Sequence, residues 1–243
     1  MWVAGVDGCR AGWIAVFRDL DRGGWSFRFA AALEAILHAP ECPAIVAVDM
    51  PMGFADVAER GGRHGEREAR ALLAGKSSSV FATPCRAALA CDDYRDALAG
   101  NRASGPHGVG LSKQAFNLFP KMREVDALVR GSKDARARLR EAHPELAFAR
   151  MNNGAPVLAG KRTAEGARRR ATLLARQGYS GATARWEAFR RDAGLRRADA
   201  ALDDALDAAA VCRTAELIHA GDATRLPADI RRDSHGIEMA IWY

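Results

Sequence analysis

A chain of 243 residues, 49% hydrophobic and 27% charged, can bury a sizeable core and has the make-up of an ordinary globular protein. No apolar run approaches the roughly 18 residues of a membrane-spanning helix, and "MWVAGVDG" lacks the basic and long apolar regions of a secretory leader. The net charge of +6 suits a polyanionic partner, although arginine and alanine are abundant along the whole chain and the excess also fits a compositional bias.

The first third alternates as β-structure does. "WVAGVD" (2–7), "GWIAVFRD" (12–19) and "WSFRFAA" (25–31) predict three strands, and the short connections "GCRA" and "LDRGG" favour antiparallel hairpins. A helix, "LEAILHA" (33–39), is closed by Pro40 and Pro43. The continuous β-branched run "AIVAVDM" (44–50) follows as a buried strand.

Residues 55–75 are charged and predict a helix from Arg63 onward. "GKSSSVFATPCRAAL" and "NRASGPHGVGLSKQAFNLFPK" read as polar loops around short helices, and "KMREVDALV" (121–129) has helical spacing. "ARLREAHPELAF" (137–148) predicts a short strand running into a helix with Pro144 in its first turn. Helices are expected in 161–177 and 183–193. The longest, "ADAALDDALDAAAVCRTAELIHAG" (198–221), is closed by Gly221, and "IEMAIWY" could form a last strand. The order implies an α/β fold with a mixed sheet of three antiparallel strands, a helix and a parallel strand. A single domain over 1–243 with a helical insertion at about 55–135 is expected.

Five scattered cysteines, Cys9, Cys42, Cys85, Cys91 and Cys212, contain no CxxC pair and predict reduced thiols in a cytoplasmic protein. Cys9 reads as a small packing residue at a turn. The basic clusters at 167–171 and 190–197 fit either a solvated helix face or nucleic-acid contact.

Three sets of acids stand at the ends of elements. Asp7 closes the first predicted strand, Asp49 closes the fourth, and Asp203, Asp204 and Asp207 share one arc of the long helix at i,i+3 and i,i+4. An acid in an apolar strand costs several kcal/mol without a compensating partner. Clustered carboxylates of this kind call for magnesium or manganese, which take oxygen ligands and can act on a phosphodiester. The bland alternative makes Asp7 a turn residue, Asp49 a pre-proline loop residue and the helix acids solvated.

"LLAGKSSS" is not a phosphate-binding loop, because Arg70 stands where a glycine is required, although Lys76 and the serines could still meet a phosphate. His143, in "EAHPELAF", fits a helix start, with Glu145 as a first-turn acid. It equally fits a site at which Glu145 is a fourth carboxylate or His143 shuttles protons.

"VDGCRAGW", "VDMPMGF", "SSSVFATPCRAAL", "GLSKQAF", "EAHPELAF", "KRTAEGARRRATLL" and "LDDALDAAAVCRTA", in that order, resemble the predicted-nuclease family filed as domain of unknown function four-twenty-nine. The resemblance spans nearly the whole chain and implies a ribonuclease-H-like fold. It matches Asp7 and Asp49 to the family's strand acids, and Asp207 resembles the helix acid of RuvC-like resolvases. It also draws in Glu145 and, as cations suited to phosphate, Arg86, Lys161 and Arg170. One departure is "RHGEREAR", where Glu66 stands in place of an expected aspartate and puts a metal role there in doubt.

The leading expectation is therefore a metal-dependent phosphodiester hydrolase acting on DNA or RNA. Asp7, Asp49 and Asp207 would be its metal ligands, with Glu145 or Asp204 completing the shell. Two alternatives stand beside it: a non-catalytic ligand- or nucleic-acid-binding module, and an actin- or sugar-kinase-like ATP-using protein. The second is disfavoured by the single "VDG" hairpin. A membrane partner is not expected, and a homodimer is compatible with the pattern.

Overall fold

The computed structural model describes all 243 residues. Strands β1 (Trp2–Cys9), β2 (Gly12–Asp19) and β3 (Trp25–Ala30) form an antiparallel meander. Helix α1 (Leu33–Leu37) then returns the chain to β4 (Val46–Val48), which runs parallel to β1. A fifth strand, β5 (Leu139–Glu141), lies parallel to β4 at the sheet edge, giving the order β3-β2-β1-β4-β5.

The long passage from β4 to β5 is helical, as the sequence predicts for 55–135. It carries α2 (His64–Leu72), a 3-10 turn at Ser77–Ser79, α3 (Arg86–Leu89), α4 (Tyr94–Ala103), α5 (Lys113–Asn117), α6 (Phe119–Gly131) and α7 (Lys133–Arg138). After β5 come α8 (Pro144–Met151), α9 (Ala164–Arg176), α10 (Ala182–Asp192) and α11 (Leu202–Ala220). A two-stranded ribbon of β6 (Arg225–Leu226) and β7 (Ile241–Trp242) ends the chain. No helix is long and apolar enough to cross a membrane.

Strand alternation sorts the side chains onto two faces. Ala4, Val6, Val46 and Val48 join a core with Ile36 of α1 and with Met122 and Val125 of α6. Val3 and Ala47 join the opposite core, built with α8 to α11. By the same alternation Asp7, two residues beyond Gly5, and Asp49, two beyond Ala47, fall on the α11 face. The parallel register pairs Gly5 with Ala47 and Val6 with Val48, so Asp7 and Asp49 come next, side by side.

The sequence places Asp7 at the end of β1, but β1 continues to Cys9. The hairpin is closed tightly enough that Cys9 still pairs with Gly12 and Asp7 with Ile14. What ends near Asp7 is the ladder to β4, whose last contact is the Asp49 N–H donated to the Val6 carbonyl at 2.9 Å. Asp7 therefore sits in a strand that is hydrogen-bonded on one side and opens on the other.

Helix α11 is nearly all Ala, Leu and Val around its middle and is buried over Ala205–Cys212, as befits a helix apolar on most sides. It lies against β1 so closely that a Cβ on Gly5 would stand 2.0 Å from the Cys212 backbone nitrogen and 2.4 Å from the Ala208 carbonyl oxygen. On the other face Glu124 of α6 accepts from the Trp13 indole N–H, at 3.0 and 3.1 Å, and from the Leu33 N–H at 2.6 Å. That carboxylate ties the first hairpin to α1.

Gly5→Ala is expected to destabilise the fold by about 3 kcal/mol or more, because the contacted atoms are backbone and cannot step aside. Gly24→Ala, in a turn with no atom near the added methyl, should change stability by no more than about 0.5 kcal/mol. Urea-unfolding midpoints of the two variants check this. Equal losses would contradict the close packing of α11 on β1.

Candidate active site

Asp7 from β1, Asp49 just past β4 and Asp207 from α11 converge on one ammonium, that of Lys161, which lies just before α9. Its Nζ donates to Asp207 Oδ2 at 2.7 Å, stands 3.7 Å from Asp203 Oδ2, and acts electrostatically on Asp7 and Asp49. The Asp7 and Asp49 carboxyls are neighbours in the same cavity and act on each other's ionisation. Asp7, Asp49, Asp204 and Lys161 open into a cavity of about 230 Å3, closed opposite by Glu66, Thr83, Glu141 and His143. Lys161 is the only lysine or arginine in its wall.

One cation facing three buried acids leaves a deficit of positive charge. Burial raises all three carboxyls, since the charged form loses its hydration. Asp7 is pushed well above the ordinary value of 3.8, first by burial and then by the charges of Asp49, Asp207 and Asp204. Burial raises Asp49 to about 7 and Asp207 to about 6, with Lys161 opposing the shift in both. The Lys161 ammonium is held above its ordinary value: its desolvation is the largest single influence and lowers it, but the Asp207, Asp7 and Asp49 charges together outweigh it. It stays charged throughout the range in which the acids titrate.

The remaining candidates separate into those that join this cluster and those that do not. Asp204 joins it from the first turn of α11: Oδ2 accepts the Ala201 N–H at 2.8 Å, reaching back as an N-terminal cap. Glu145 stands behind Asp49 and Asp207 and acts on both. Its Oε1 takes the Arg170 guanidinium at 2.6 Å and lies 3.8 Å from Lys76 Nζ, while its buried Oε2 has no partner.

Arg170 is not free for a phosphate. It is fully buried, and its Nη1 donates to the carbonyls of Ala159 and Gly166 at 2.9 and 3.3 Å, so it acts by fixing Glu145. Arg86 does not reach the cavity either. Its guanidinium is taken by Asp126 at 3.0 Å and by Asp233, and lies 5.5 Å from the centre of the Phe54 ring. The family resemblance offers both arginines to a phosphate, but acids remote in the chain take them instead.

Histidine 143 serves as the cap of α8: Nδ1 accepts the Glu145 N–H at 3.2 Å and Nε2 faces the Ser79 carbonyl at 3.3 Å. Those partners place the ring proton on Nε2, and burial lowers the ring's basicity. Glu66 is fully engaged with the Arg63 backbone and guanidinium and with the Thr83 N–H and hydroxyl. Arg63 in turn holds Glu141, with Nη2 at 2.5 Å from Oε1. The pairing of Glu66, Arg63 and Glu141 in this buried wall is not encoded locally, because Glu141 lies 78 positions from Arg63; the sequence marks only Glu66, as a departure from the family. Lys76, in a stretch that fails as a phosphate loop, instead faces Glu145.

All the acids here offer carboxylate oxygens, which suit magnesium or manganese. The unpartnered Glu145 Oε2 and the raised carboxyls of Asp7 and Asp49 mark an excess of negative charge that a divalent cation would relieve. As the side chains lie, no three acids, histidines or cysteines are grouped so as to hold a metal ion, and the carboxylates would have to turn toward one to bind it. Lys161 and retained protons carry the compensation instead.

Fold and site together define a mixed α/β protein with a carboxylate centre beside the parallel strand pair. The chain belongs to the family described as Protein of unknown function (DUF429), whose model matches residues 5–232. No curated protein and no solved structure matches it.

The raised carboxyls fix a pH dependence. The folded chain holds these protons more tightly than the unfolded chain, whose aspartates titrate near 3.8. The stability they contribute is complete below that pH and is lost as pH rises through about 6 to 7. Asp49→Asn removes one such group, so its stability relative to wild type should rise by about 3 kcal/mol between pH 4.5 and pH 8. Urea unfolding of the metal-free proteins at the two pH values measures this. A relative stability that stays constant or falls would contradict the placement of Asp49.

Proposed function

We propose that the chain is a divalent-metal-dependent phosphodiester hydrolase of ribonuclease-H-like fold, with nucleic acid as its substrate. The observation that carries this reading is the meeting of Asp7, Asp49 and Asp207, from two adjacent parallel strands and one packed helix, around the Lys161 ammonium, with Asp7, Asp49 and Lys161 lining one cavity and Asp207 held behind Lys161. The sheet order and the net charge of +6 agree with it.

Asp7, Asp49 and Asp207 would hold the cation, with Glu145 behind them. When bound, it supplies Lewis acidity toward a phosphoryl oxygen and lowers the pKa of water beside it. The chain's own residues do the rest. Lys161 is the positive side chain of the wall and meets phosphate charge there. Asp204, whose Oδ2 is tied to the Ala201 N–H, keeps Oδ1 to take a proton from the attacking water. Arg170 and Lys76 hold Glu145 in place from the side away from the cavity, and the wall of Glu66, Arg63 and Glu141 keeps the opposite side rigid.

A non-catalytic binding module is the second reading, and one observation favours it: Lys161 already sits on Asp207 at 2.7 Å as a fixed counter-charge. Turnover separates the two. Hydrolysis of single-stranded and duplex DNA and RNA, followed with magnesium and with manganese, should be detectable for the wild type. It should fall at least about a hundredfold in Asp49→Asn and in Lys161→Met, a loss typical of removing a group that stabilises transition-state charge. Substrate binding without hydrolysis by the wild type, under any of these conditions, would favour the binding module.

A further inference from the structure

A second cavity, of about 310 Å3, opens at the β5 edge of the sheet and meets the carboxylate cavity only at Glu141 and its neighbourhood. Its rim carries Lys133 and Arg136 from α7, Arg140 from β5 and Arg232 from the segment before β7. Its floor is apolar, with Leu139 and Trp242.

None of these four cations forms an ion pair. Arg136 Nε donates to the Val129 carbonyl at 2.9 Å, and Arg140 Nη1 donates to the carbonyls of Leu139 and Arg136 at 2.7 and 3.2 Å. Arg232 Nη1 donates to the Gly236 carbonyl at 2.9 Å. Their other guanidinium N–H groups are left for a ligand. Of the two carboxylates in the wall, Glu141 is committed to Arg63 and the Met52 N–H, while Glu238 stands 3.5 Å from Arg225, its Oε1 accepting no hydrogen bond, and offsets part of the positive charge.

Arg140 is the telling member. It is half-buried and pays desolvation with no carboxylate in contact, Glu238 acting on it only at a distance. Elsewhere in this molecule the buried guanidiniums of Arg63 and Arg170 are each met by a glutamate. An arginine sequestered among three further cations and facing an apolar floor wants an anion that arrives from outside.

We propose that this cavity is a binding site for a small organic phosphate, the phosphate held by the guanidinium forks of Arg136, Arg140 and Arg232 and a flat apolar body resting on Leu139 and Trp242. Guanidinium forks match phosphate oxygens in pairs, and the cavity's volume is that of a small-molecule site. The inference does not depend on the carboxylate centre having any activity.

Calorimetry with adenosine 5′-monophosphate as the probe tests it, with adenosine and inorganic phosphate as the two half-ligands. The monophosphate should bind the wild type at least about tenfold more tightly than either half-ligand. Arg140→Met and Arg232→Ser should each weaken it at least about tenfold, the factor one charge-assisted hydrogen bond carries. Asp7→Asn, which alters the other cavity, should leave it unchanged. Circular dichroism checks that the variants fold, and Arg232, being exposed, keeps the test open if Arg140→Met does not. Three results would each overturn the proposal: no binding at millimolar monophosphate, unchanged affinity in the folded arginine variants, or a loss in Asp7→Asn instead.

Discussion

The whole arrangement rests on a contact with no side chain in it. At Gly5 the backbone of β1 meets the backbone of α11 with no space for a methyl group, and this closeness carries α11's acids to the strand acids. Were the helix held off by an ordinary side chain at this position, Asp207 would stand farther from the strand acids. The small residues of α11, Ala208 and Cys212 among them, complete the fit from the other side. Packing comes first here, and the charge cluster is its consequence.

That consequence is costly. Three carboxyls and Lys161 share an interior where one positive charge cannot neutralise three negative ones, so the chain retains protons on acids that would otherwise be ionised at neutral pH. A fold selected for stability alone would replace such a set by apolar residues of similar volume. Its retention is what perturbed groups at a functional site look like. The supporting wall differs in kind: Arg63, Glu66, Thr83 and Glu141 satisfy one another's hydrogen bonds and leave nothing over for a ligand.

Much of this was legible in the sequence, for identifiable reasons. The strands β1 to β3 and the helix α11 follow from local periodicity and turn residues, which need no knowledge of the fold. Asp7, Asp49 and Asp207 stood out because an acid in an apolar run is a local anomaly. The phosphate role that the resemblance implies for Arg86 and Arg170 fails because their partners, Asp126, Asp233 and Glu145, lie 25 to 147 positions away. A basic residue in a loop or on a helix carries no mark of whether it will meet a phosphate or a buried carboxylate. Lys161 as the shared counter-ion of the cluster, and the role of Gly5, depend on tertiary contacts that periodicity does not encode.

The central claim is that these acids form a site for a divalent cation. Titration calorimetry of magnesium and manganese at pH 8, above the range in which Asp49 and Asp207 titrate, tests it most directly by comparing the wild type with Asp7→Asn at matched circular dichroism. Saturable binding to the wild type and at least about a tenfold loss in the variant are expected, because the amide keeps one neutral oxygen and loses the carboxylate's negative charge. Equal affinity in the two proteins, or binding by neither, would contradict it and leave the cluster as an internally compensated feature of the fold.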